Sequence, residues 1–257
     1  MPITPLLEIM ETLRAPDGCP WDRAQTHESL RRYCLEEAFE VVEAIDHADD
    51  AALKSELGDL LLQVVFHAQI GSERNAFDFA DVVDAICAKM HRRHPHVFGP
   101  QAGQVAGGDP ESWEAIKQRE RANDGAERSL VDGVPRAMPA LLRAQRVSDK
   151  AATCGFDWPD VTGVHEKIAE EFGELKEAVE ANEPEAIEHE IGDLLLALTN
   201  LARHHDCNAE FALQKATDRF TTRFKKMEEQ ARLENLDLAT QDLESLEQRW
   251  QAAKRET

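Results

Sequence analysis

The amino-acid sequence predicts an all-α protein with two tandem homologous helical domains, and two observations support this prediction. The composition is rich in Ala, Leu, Glu and Arg, and only 6% of the 257 residues are aromatic, which favours helix over sheet. The chain also contains an internal repeat at a fixed register. No segment shows the strict alternation of apolar and polar residues that is typical of a half-buried strand.

The internal repeat keeps a constant shift of 134 residues (from 56 to 190) over its central part. The segment 56–62, ELGDLLL, recurs at 190–196 as EIGDLLL, and the acidic segment 36–40 recurs at 170–174. Near the end of each copy the same three residue types recur in one pattern: Trp113, Ala115 and Lys117, then Trp250, Ala252 and Lys254. Repetition at a fixed register indicates two copies of one helical unit.

We predict an N-terminal repeat over residues 1–124 and a C-terminal repeat over 137–257. The linker between them, 125–136, contains glycines and a proline, which interrupt helices. Each repeat is expected to hold four or five helices, a thin core by itself. We therefore expect the Leu-rich faces to pair between subunits of a homodimer, in cores that resemble four-helix bundles.

A central helix in each repeat shows the clearest pattern. Apolar residues recur every three or four positions over 57–68 and again over 191–201, which predicts one buried face on each helix. The acidic pair 49–50 suits the start of the first of these helices, and the Glu-Pro pair 183–184 suits the start of the second.

The charge balance restricts the possible partners. Fifty acidic residues against 29 basic ones give a formal net charge of −21. Binding to a nucleic acid polymer is not expected, because phosphate backbones attract basic surfaces. No segment approaches the roughly 20 apolar residues that cross a bilayer, so no membrane association is expected either.

The cysteines and the first residues indicate a cytoplasmic protein. The cysteines are five, an odd number, and they are widely scattered without a C-x-x-C pair, which favours reduced thiols over disulfides or a zinc site. The segment 1–13 carries two glutamates and no basic region, so we do not expect a signal peptide.

Acidic pairs three residues apart, which share one face of a helix, occur twice in each repeat. The N-terminal repeat carries Glu37, Glu40, Glu56 and Asp59. The C-terminal repeat carries Glu171, Glu174, Glu190 and Asp193. The interval between the two pairs is long enough for a turn and a second, antiparallel helix, so that all four carboxylates are expected to converge.

Converging carboxylates repel one another unless a cation neutralises them. An all-oxygen ligand set suits Mg²⁺, with Mn²⁺ as a substitute, and Mg²⁺ sites that retain water typically bind phosphate substrates. Gly58 and Gly192 lie inside the acidic helices, where glycine is unfavourable, and they indicate a close approach by a partner helix or a substrate. A single acidic pair is usually a solvated helix face, but duplication of both pairs at one register favours a metal site.

Several stretches carry a resemblance to the MazG family of nucleoside triphosphate pyrophosphohydrolases. Besides the doubled pattern E-x-x-E followed by E-x-x-D, they are GCPWD at 18–22, RRHPHVF at 92–98, PALLRAQ at 139–145 and GFDW at 155–158. The chain resembles the two-domain bacterial members over essentially its whole length. The resemblance implies an all-α, metal-dependent homodimer that hydrolyses (d)NTPs between the α- and β-phosphates, with nucleotide-pool housekeeping as its role.

The resemblance also implies roles for single residues, with the C-terminal repeat as the catalytic unit. By this likeness Mg²⁺ is held by Glu171, Glu174, Glu190 and Asp193. The nucleotide is contacted by Lys167, Glu170, Arg219, Arg223, Trp250 and Lys254. Glu170 or Glu174 is expected to orient or deprotonate the attacking water. Stacking of Trp250 on a base tolerates any base, so broad specificity is expected.

The two repeats differ at one cation. Arg223 is matched by Lys89, but Arg219 is matched by Ala85. The N-terminal repeat keeps its carboxylates and is expected to bind metal, as a weaker, differently specific or regulatory site. Ahead of Glu190, Ala186 and His189 stand where the resemblance suggests a basic residue and an acidic residue.

Two other classes of protein compete with this interpretation. A di-iron or di-manganese bundle requires Glu-x-x-His pairs, but Asp59 and Asp193 occupy the corresponding positions. The alternative left open is a non-catalytic helical metal-binding interaction module. Phe211, Phe220 and Phe224 are predicted to lie in the helical core.

Overall fold

The structure is a computed structural model that describes residues 3–99 and 129–256. The chain divides into two compact units, 1–110 and 111–257. The described residues contain helices and no strand, so the all-α prediction is confirmed. The predicted repeat bounds stay a prediction, and Trp113 and Lys117 lie outside the described part of the chain.

The first unit contains six described α-helices. They are α1 (Thr4–Arg14), α2 (Pro20–Ala24), α3 (His27–Asp46), α4 (Asp50–Glu73), α5 (Phe79–Arg93) and α6 (Pro95–Phe98). Helices α2 and α6 were not predicted, because each is too short to show a periodic pattern. Both begin with proline, whose fixed φ suits the first helical position.

Helices α3 and α4 form the central hairpin of the first unit. The side chain of Asp49 accepts hydrogen bonds from the backbone N–H groups of Ala51 and Ala52, both at 3.0 Å, and so caps α4 where the sequence predicts its start. The core lies at the other end of the hairpin, where α1 packs on α4. Its buried members are Met10, Leu30, Val65, Phe66 and Ile70.

The second unit repeats this central hairpin. Its helices are α7 (Ala140–Ala152), α8 (Val161–Ala181), α9 (Pro184–His204), α10 (Ala209–Leu233) and α11 (Leu243–Arg255), with a 3₁₀ turn over Leu238–Thr240. Helices α8 and α9 pack together most extensively, α7 packs on α9 and α10, and α11 packs on α10. Asn182 adopts a left-handed conformation (φ 54°) and ends α8, and Pro184 begins α9 as predicted.

The apolar faces of α4 and α9 are only partly buried. Val65 and Ala68 are buried, but Leu57 is 49% exposed. On α9, Ile191 and Leu195 are 45% and 44% exposed. These faces, which the sequence predicts to be buried and to pair between subunits, are therefore partly exposed among the described residues of one chain, because each hairpin covers only one side of its helices.

Gly58 on α4 and Gly192 on α9 also face space that the described residues leave open. A Cβ atom built on Gly58 or Gly192 meets no atom within 4 Å among the described residues. The close approach that the sequence indicated is therefore not made by this part of the chain. Within residues 3–99 and 129–256, none of the helices combines the length and apolar character needed to span a bilayer.

Candidate active site

Helices α8 and α9 bring three carboxylates of the C-terminal repeat together. One oxygen each of Glu171, Glu174 and Glu190 lies within 4.8 Å of the other two. Glu171 and Glu174 share a face of α8 because they are three residues apart, and the short connection to α9 places Glu190 opposite them. We call these three residues the α8–α9 cluster.

Glu171 is the buried member of the α8–α9 cluster. It is only 4% exposed, and its Oε2 atom has no hydrogen-bond partner among the described residues. Its Oε1 atom lies 2.7 Å from Nζ of Lys167, which also donates a hydrogen bond of 2.8 Å to Oε1 of Glu170. The contacts with Glu170 and Glu171 raise the pKa of Lys167, so the lysine stays charged. An unpaired buried carboxylate oxygen is costly.

Asp193 belongs to a second group on the same side of α9. Its Oδ2 lies 3.2 Å from Nδ1 of His189, which is also 3.3 Å from Oε1 of Glu190. Ligand atoms of His189, Glu190 and Asp193 all lie within 4.8 Å of one another. Glu190 is therefore common to both groups, and the four predicted ligands form two adjoining sets.

The electrostatics of the α8–α9 cluster fit a divalent cation. Loss of solvent, followed by the nearby charges of Glu171 and Glu190, raises the pKa of Glu174. The donor atoms of the cluster are carboxylate oxygens, which Mg²⁺ prefers. The unpaired Oε2 of Glu171 supplies a ligand position that no described protein group fills. The residues present therefore fit Mg²⁺.

The N-terminal repeat builds a matching cluster on α3 and α4. One oxygen each of Glu37, Glu40 and Glu56 lies within 4.8 Å of the others. Burial is the main cause that raises the pKa of Glu37, and the charges of Glu40 and Asp59 add to it. In each repeat the structure thus brings three of the four predicted carboxylates together, and Asp59 is not part of the N-terminal group.

The two clusters differ in the groups around them. At the register shift of 134, Tyr33 stands where the second repeat has Lys167, and Ser55 stands where it has His189. The N-terminal cluster therefore lacks a lysine and an imidazole that its counterpart has, in addition to the lost arginine at Ala85. Of these three differences, only the loss of the arginine at Ala85 supports the prediction, made from the sequence, that the N-terminal site differs in function.

Of the six residues predicted to contact the nucleotide, Lys167 and Glu170 lie on α8 beside the acidic cluster, and the other four lie on α10 and α11. Arg219 and Arg223 lie one turn apart on α10, and Trp250 and Lys254 lie one turn apart on α11. The ring of Trp250 lies 5.0 Å from that of Phe220, measured between centroids. Helices α10 and α11 thus combine two guanidinium groups with an aromatic surface.

The core assignment of two phenylalanines is wrong. Phe220 is 56% exposed and Phe224 is 41% exposed, and their rings stack with centroids 6.0 Å apart. Their helical spacing is the same for a core face and for a binding face, so the sequence pattern could not separate the two. The only available signal was their position beside Arg219 and Arg223.

Comparison with known proteins identifies the family. The MazG nucleotide pyrophosphohydrolase domain matches residues 25–98 and 161–231, one match in each repeat. The chain belongs to the MazG family. Each MazG match includes one helical hairpin with its acidic cluster, so the repeat seen in the sequence is a repeat of the MazG domain.

Three relatives illustrate the similarity. The chain is 47% identical to a nucleoside triphosphate pyrophosphohydrolase/pyrophosphatase MazG of Thermotoga maritima, over 97% of this chain and 94% of the relative. It is 45% identical to a nucleoside triphosphate pyrophosphohydrolase of Escherichia coli K12, over 98% and 96%. A protein of Mycobacterium tuberculosis with the latter name is 39% identical over 58% of this chain and 44% of its own length.

Proposed function

We propose that this MazG family member is a Mg²⁺-dependent nucleoside triphosphate pyrophosphohydrolase. It cleaves (d)NTPs between the α- and β-phosphates and releases a (d)NMP and pyrophosphate, with broad base specificity and a role in nucleotide-pool housekeeping. Family membership and the two near full-length relatives support the pyrophosphohydrolase activity. The observation that carries the metal dependence is the α8–α9 cluster, with the unpaired buried oxygen of Glu171.

The second unit contains two groups of residues with different proposed roles: one group binds the metal and the other binds the nucleotide. The cation, Mg²⁺ or Mn²⁺ in its place, would be held by Glu171, Glu174, Glu190 and Asp193. It would supply charge neutralisation for the phosphate oxygens on which negative charge develops. This neutralisation is the main requirement of phosphoryl transfer, because positioning and charge matter more there than covalent catalysis.

The cationic and aromatic groups position the nucleotide. Arg219 and Arg223 donate charge-assisted hydrogen bonds to phosphate oxygens, and Lys254 binds the phosphate tail from α11. Trp250, supported by Phe220, stacks on the base. A stacked base is recognised by its flat face, which every base has, and this accounts for broad specificity.

The proposed acceptor of the proton of the attacking water is Glu170. Its side chain is exposed, and its Oε1 accepts a hydrogen bond from Lys167. Lys167 thereby fixes the orientation of Glu170 and of the buried Glu171 together. We propose that the Glu170 carboxylate orients the water and takes its proton, and that Glu174 is the second candidate for this step.

The active form is proposed to be a homodimer. The exposed apolar faces of α4 and α9 flank the two acidic clusters, and water contact with such faces is unfavourable. Pairing them between subunits would complete cores that resemble four-helix bundles. The cytoplasmic location stays a prediction from the cysteines.

The test is release of pyrophosphate from a mixture of NTPs by the purified full chain with Mg²⁺. Glu174→Ala and Asp193→Ala are each expected to lower kcat/KM by about 100-fold or more, because each removes charge that holds the cation. Glu180→Ala is the control, since it removes an exposed carboxylate from α8 outside the cluster. Circular dichroism checks that helical content is unchanged. Turnover that survives both cluster substitutions would refute the assignment of the C-terminal site.

A double variant of the N-terminal cluster tests which repeat is catalytic. In Glu40→Ala with Asp59→Ala, the fold-decrease in kcat/KM is expected to be at least tenfold smaller than in either C-terminal variant. Complete loss in the double variant would show that the N-terminal cluster is required. A panel of single (d)NTPs, run on each variant, reports base and sugar preference.

The competing candidate, a non-catalytic metal-binding interaction module, predicts a different result. It requires no pyrophosphate release above background from the correctly folded protein at any Mg²⁺ concentration. Metal binding measured by calorimetry on the same sample separates this outcome from a sample that has lost its metal site.

A further inference from the structure

Two histidines and one cysteine form a hydrogen-bonded chain between α3 and α4 that the proposed function does not use. Nδ1 of His27, the first residue of α3, lies 2.8 Å from Nδ1 of His67 on α4. Nε2 of His67 lies 3.3 Å from Sγ of Cys34, two turns further along α3. All three side chains are half-buried. We call these residues the His–Cys chain.

The two rings of the His–Cys chain can share one positive charge but not two. A contact of 2.8 Å between two ring nitrogens needs a proton on one nitrogen and a lone pair on the other. Protonation of both rings puts an N–H group on each Nδ1 atom, so that two donors face each other. The rings are also stacked, with centroids 5.0 Å apart. Two charged rings therefore repel each other, and the contact is lost.

The surroundings of the two rings oppose a second proton. The exposed N–H groups at the start of α3 place partial positive charge at His27. The ring of Phe77, from the connection between α4 and α5, stacks on His27 with centroids 6.2 Å apart and carries no charge. Burial is the main cause that lowers the pKa of His67, and the charge of His27 adds to it.

The charged groups on the elements packed around the rings do not change this balance. They are Glu28, Arg31 and Glu37 on α3, Arg74 at the end of α4, Glu11 and Arg14 on α1, and Asp78 at the start of α5. Arg14 is paired with Glu73. Glu11 and Asp78 line a groove on a different side of α4, beside Val65 and Ala68.

The second repeat provides an internal contrast to the His–Cys chain. At the register shift of 134, its three members are matched by Val161, Ile168 and Leu201, which are also half-buried. Between them, Leu30 and its counterpart Val164 are both buried, so the two hairpins pack alike at this level. The hairpin therefore folds with apolar side chains at these positions, and packing does not require titratable groups there.

We propose that the His27–His67 pair is a pH-sensitive switch of the N-terminal repeat. In its singly charged or neutral form the pair holds the start of α3 against α4. When both rings are charged, this end of the α3–α4 hairpin loosens, whereas the α8–α9 hairpin does not respond. The inference depends neither on bound metal nor on the proposed function.

The sign of the effect follows from the lowered pKa of His67. Its ordinary value is 6.5, so the unfolded chain takes up a proton at higher pH than the folded hairpin does. The stabilisation by the pair is therefore complete above that value, and it is lost as the pH falls through the folded pKa.

Amide hydrogen exchange of the full-length protein compares the two hairpins in one sample. Between about pH 7 and about pH 5.5, after correction for intrinsic rates, protection over residues 27–34 and 62–70 is expected to fall by about tenfold. Protection over the matching residues 161–168 and 196–204 is expected to fall by less than about twofold. The double variant His27→Val with His67→Leu introduces the residues of the second repeat and is expected to remove the difference between the hairpins.

Two further variants complete the test. His67→Gln keeps a polar side chain that takes no proton, and it is also expected to remove the pH response, even where the double variant does not fold. His47→Gln is the control, because it removes an exposed histidine at the end of α3, and it is expected to keep the response. Equal pH responses of the two wild-type hairpins, or a response that persists in folded His67→Gln, would overturn the proposal. Pyrophosphate release is not part of the measurement, so the proposed function stands or fails separately.

Discussion

At the scale of single residues, an ion pair fixes the loop that precedes α8. Arg203 Nη1 donates a hydrogen bond of 2.8 Å to Asp157 Oδ2, and His204 Nε2 lies 3.2 Å from Asp157 Oδ1. The loop also contains Gly155, whose φ of 86° favours glycine. The pair therefore ties the GFDW segment to the end of α9, a role that the sequence did not reveal.

This ion pair predicts a pH-dependent stability. The Arg203 hydrogen bond is the main cause that lowers the pKa of Asp157 below its ordinary value of 3.8. The pair therefore stabilises the fold above that value, and its contribution is lost as the pH falls through the folded pKa. Asp157→Asn is expected to lower the free energy of unfolding by about 1–2 kcal/mol at pH 7.

Urea unfolding of wild type and Asp157→Asn, at several pH values between 7 and about 3, measures this difference. It is expected to shrink as the pH falls. Asp206→Asn serves as a control, because its positive φ of 52° suits Asn equally well. A difference that stays constant over the whole pH range would contradict the ion-pair explanation.

At the scale of elements, one arginine adds polar contacts to the apolar packing of α1 on α4. The guanidinium of Arg14 donates two hydrogen bonds of 2.7 Å to the Glu73 carboxylate and others to the backbone carbonyls of Asp22 and Gln25. The Arg14 side chain is 6% exposed and lies over the ring of Phe66. A single side chain thus joins α1, the α2 segment and the central hairpin.

Arg14→Met is expected to destabilise the first unit by about 1.5–3 kcal/mol, because it removes the charged donor of the Glu73 carboxylate and of two part-buried backbone carbonyls. Lys176→Met is the matched control, since its ion pair with Glu180 spans 3.7 Å on an exposed surface. That control is expected to cost less than about 0.5 kcal/mol. Thermal unfolding compares the two, and equal losses would contradict the assigned role of Arg14.

At the scale of the whole molecule, the exposed apolar face of α9 predicts the oligomeric state. Leu195→Asp places a charge on the face proposed to pair between subunits, and burying an unpaired charge is very unfavourable. The variant is expected to change from dimer to monomer, as measured by light scattering after gel filtration. Leu243→Asp is the control, because Leu243 is 81% exposed at the start of α11. A wild type that is monomeric at all concentrations would refute the proposal.

The sequence predicted the helices and their connections better than it predicted which side chains group together or are exposed. Helical periodicity and the repeat predicted the all-α fold, the hairpins and the convergence of acidic side chains, because these depend on backbone spacing. Of the four carboxylates expected to converge in each repeat, three form one group. Family membership and the named relatives confirm the predicted pyrophosphohydrolase function. The grouping of Asp193 with His189 depends on side-chain rotamers, which spacing does not specify. The exposure of Phe220 depends on which faces one chain covers, and periodicity alone does not report this.

The short connection between α8 and α9 has a consequence for how such a protein arises. Only Asn182 and Glu183 separate the two helices, so all four predicted ligands lie within residues 171–193. Changes of length elsewhere in the chain leave their spacing intact. One brief stretch of coding sequence therefore carries all four predicted ligands, which tandem duplication can copy and gene fusion can move in a single step.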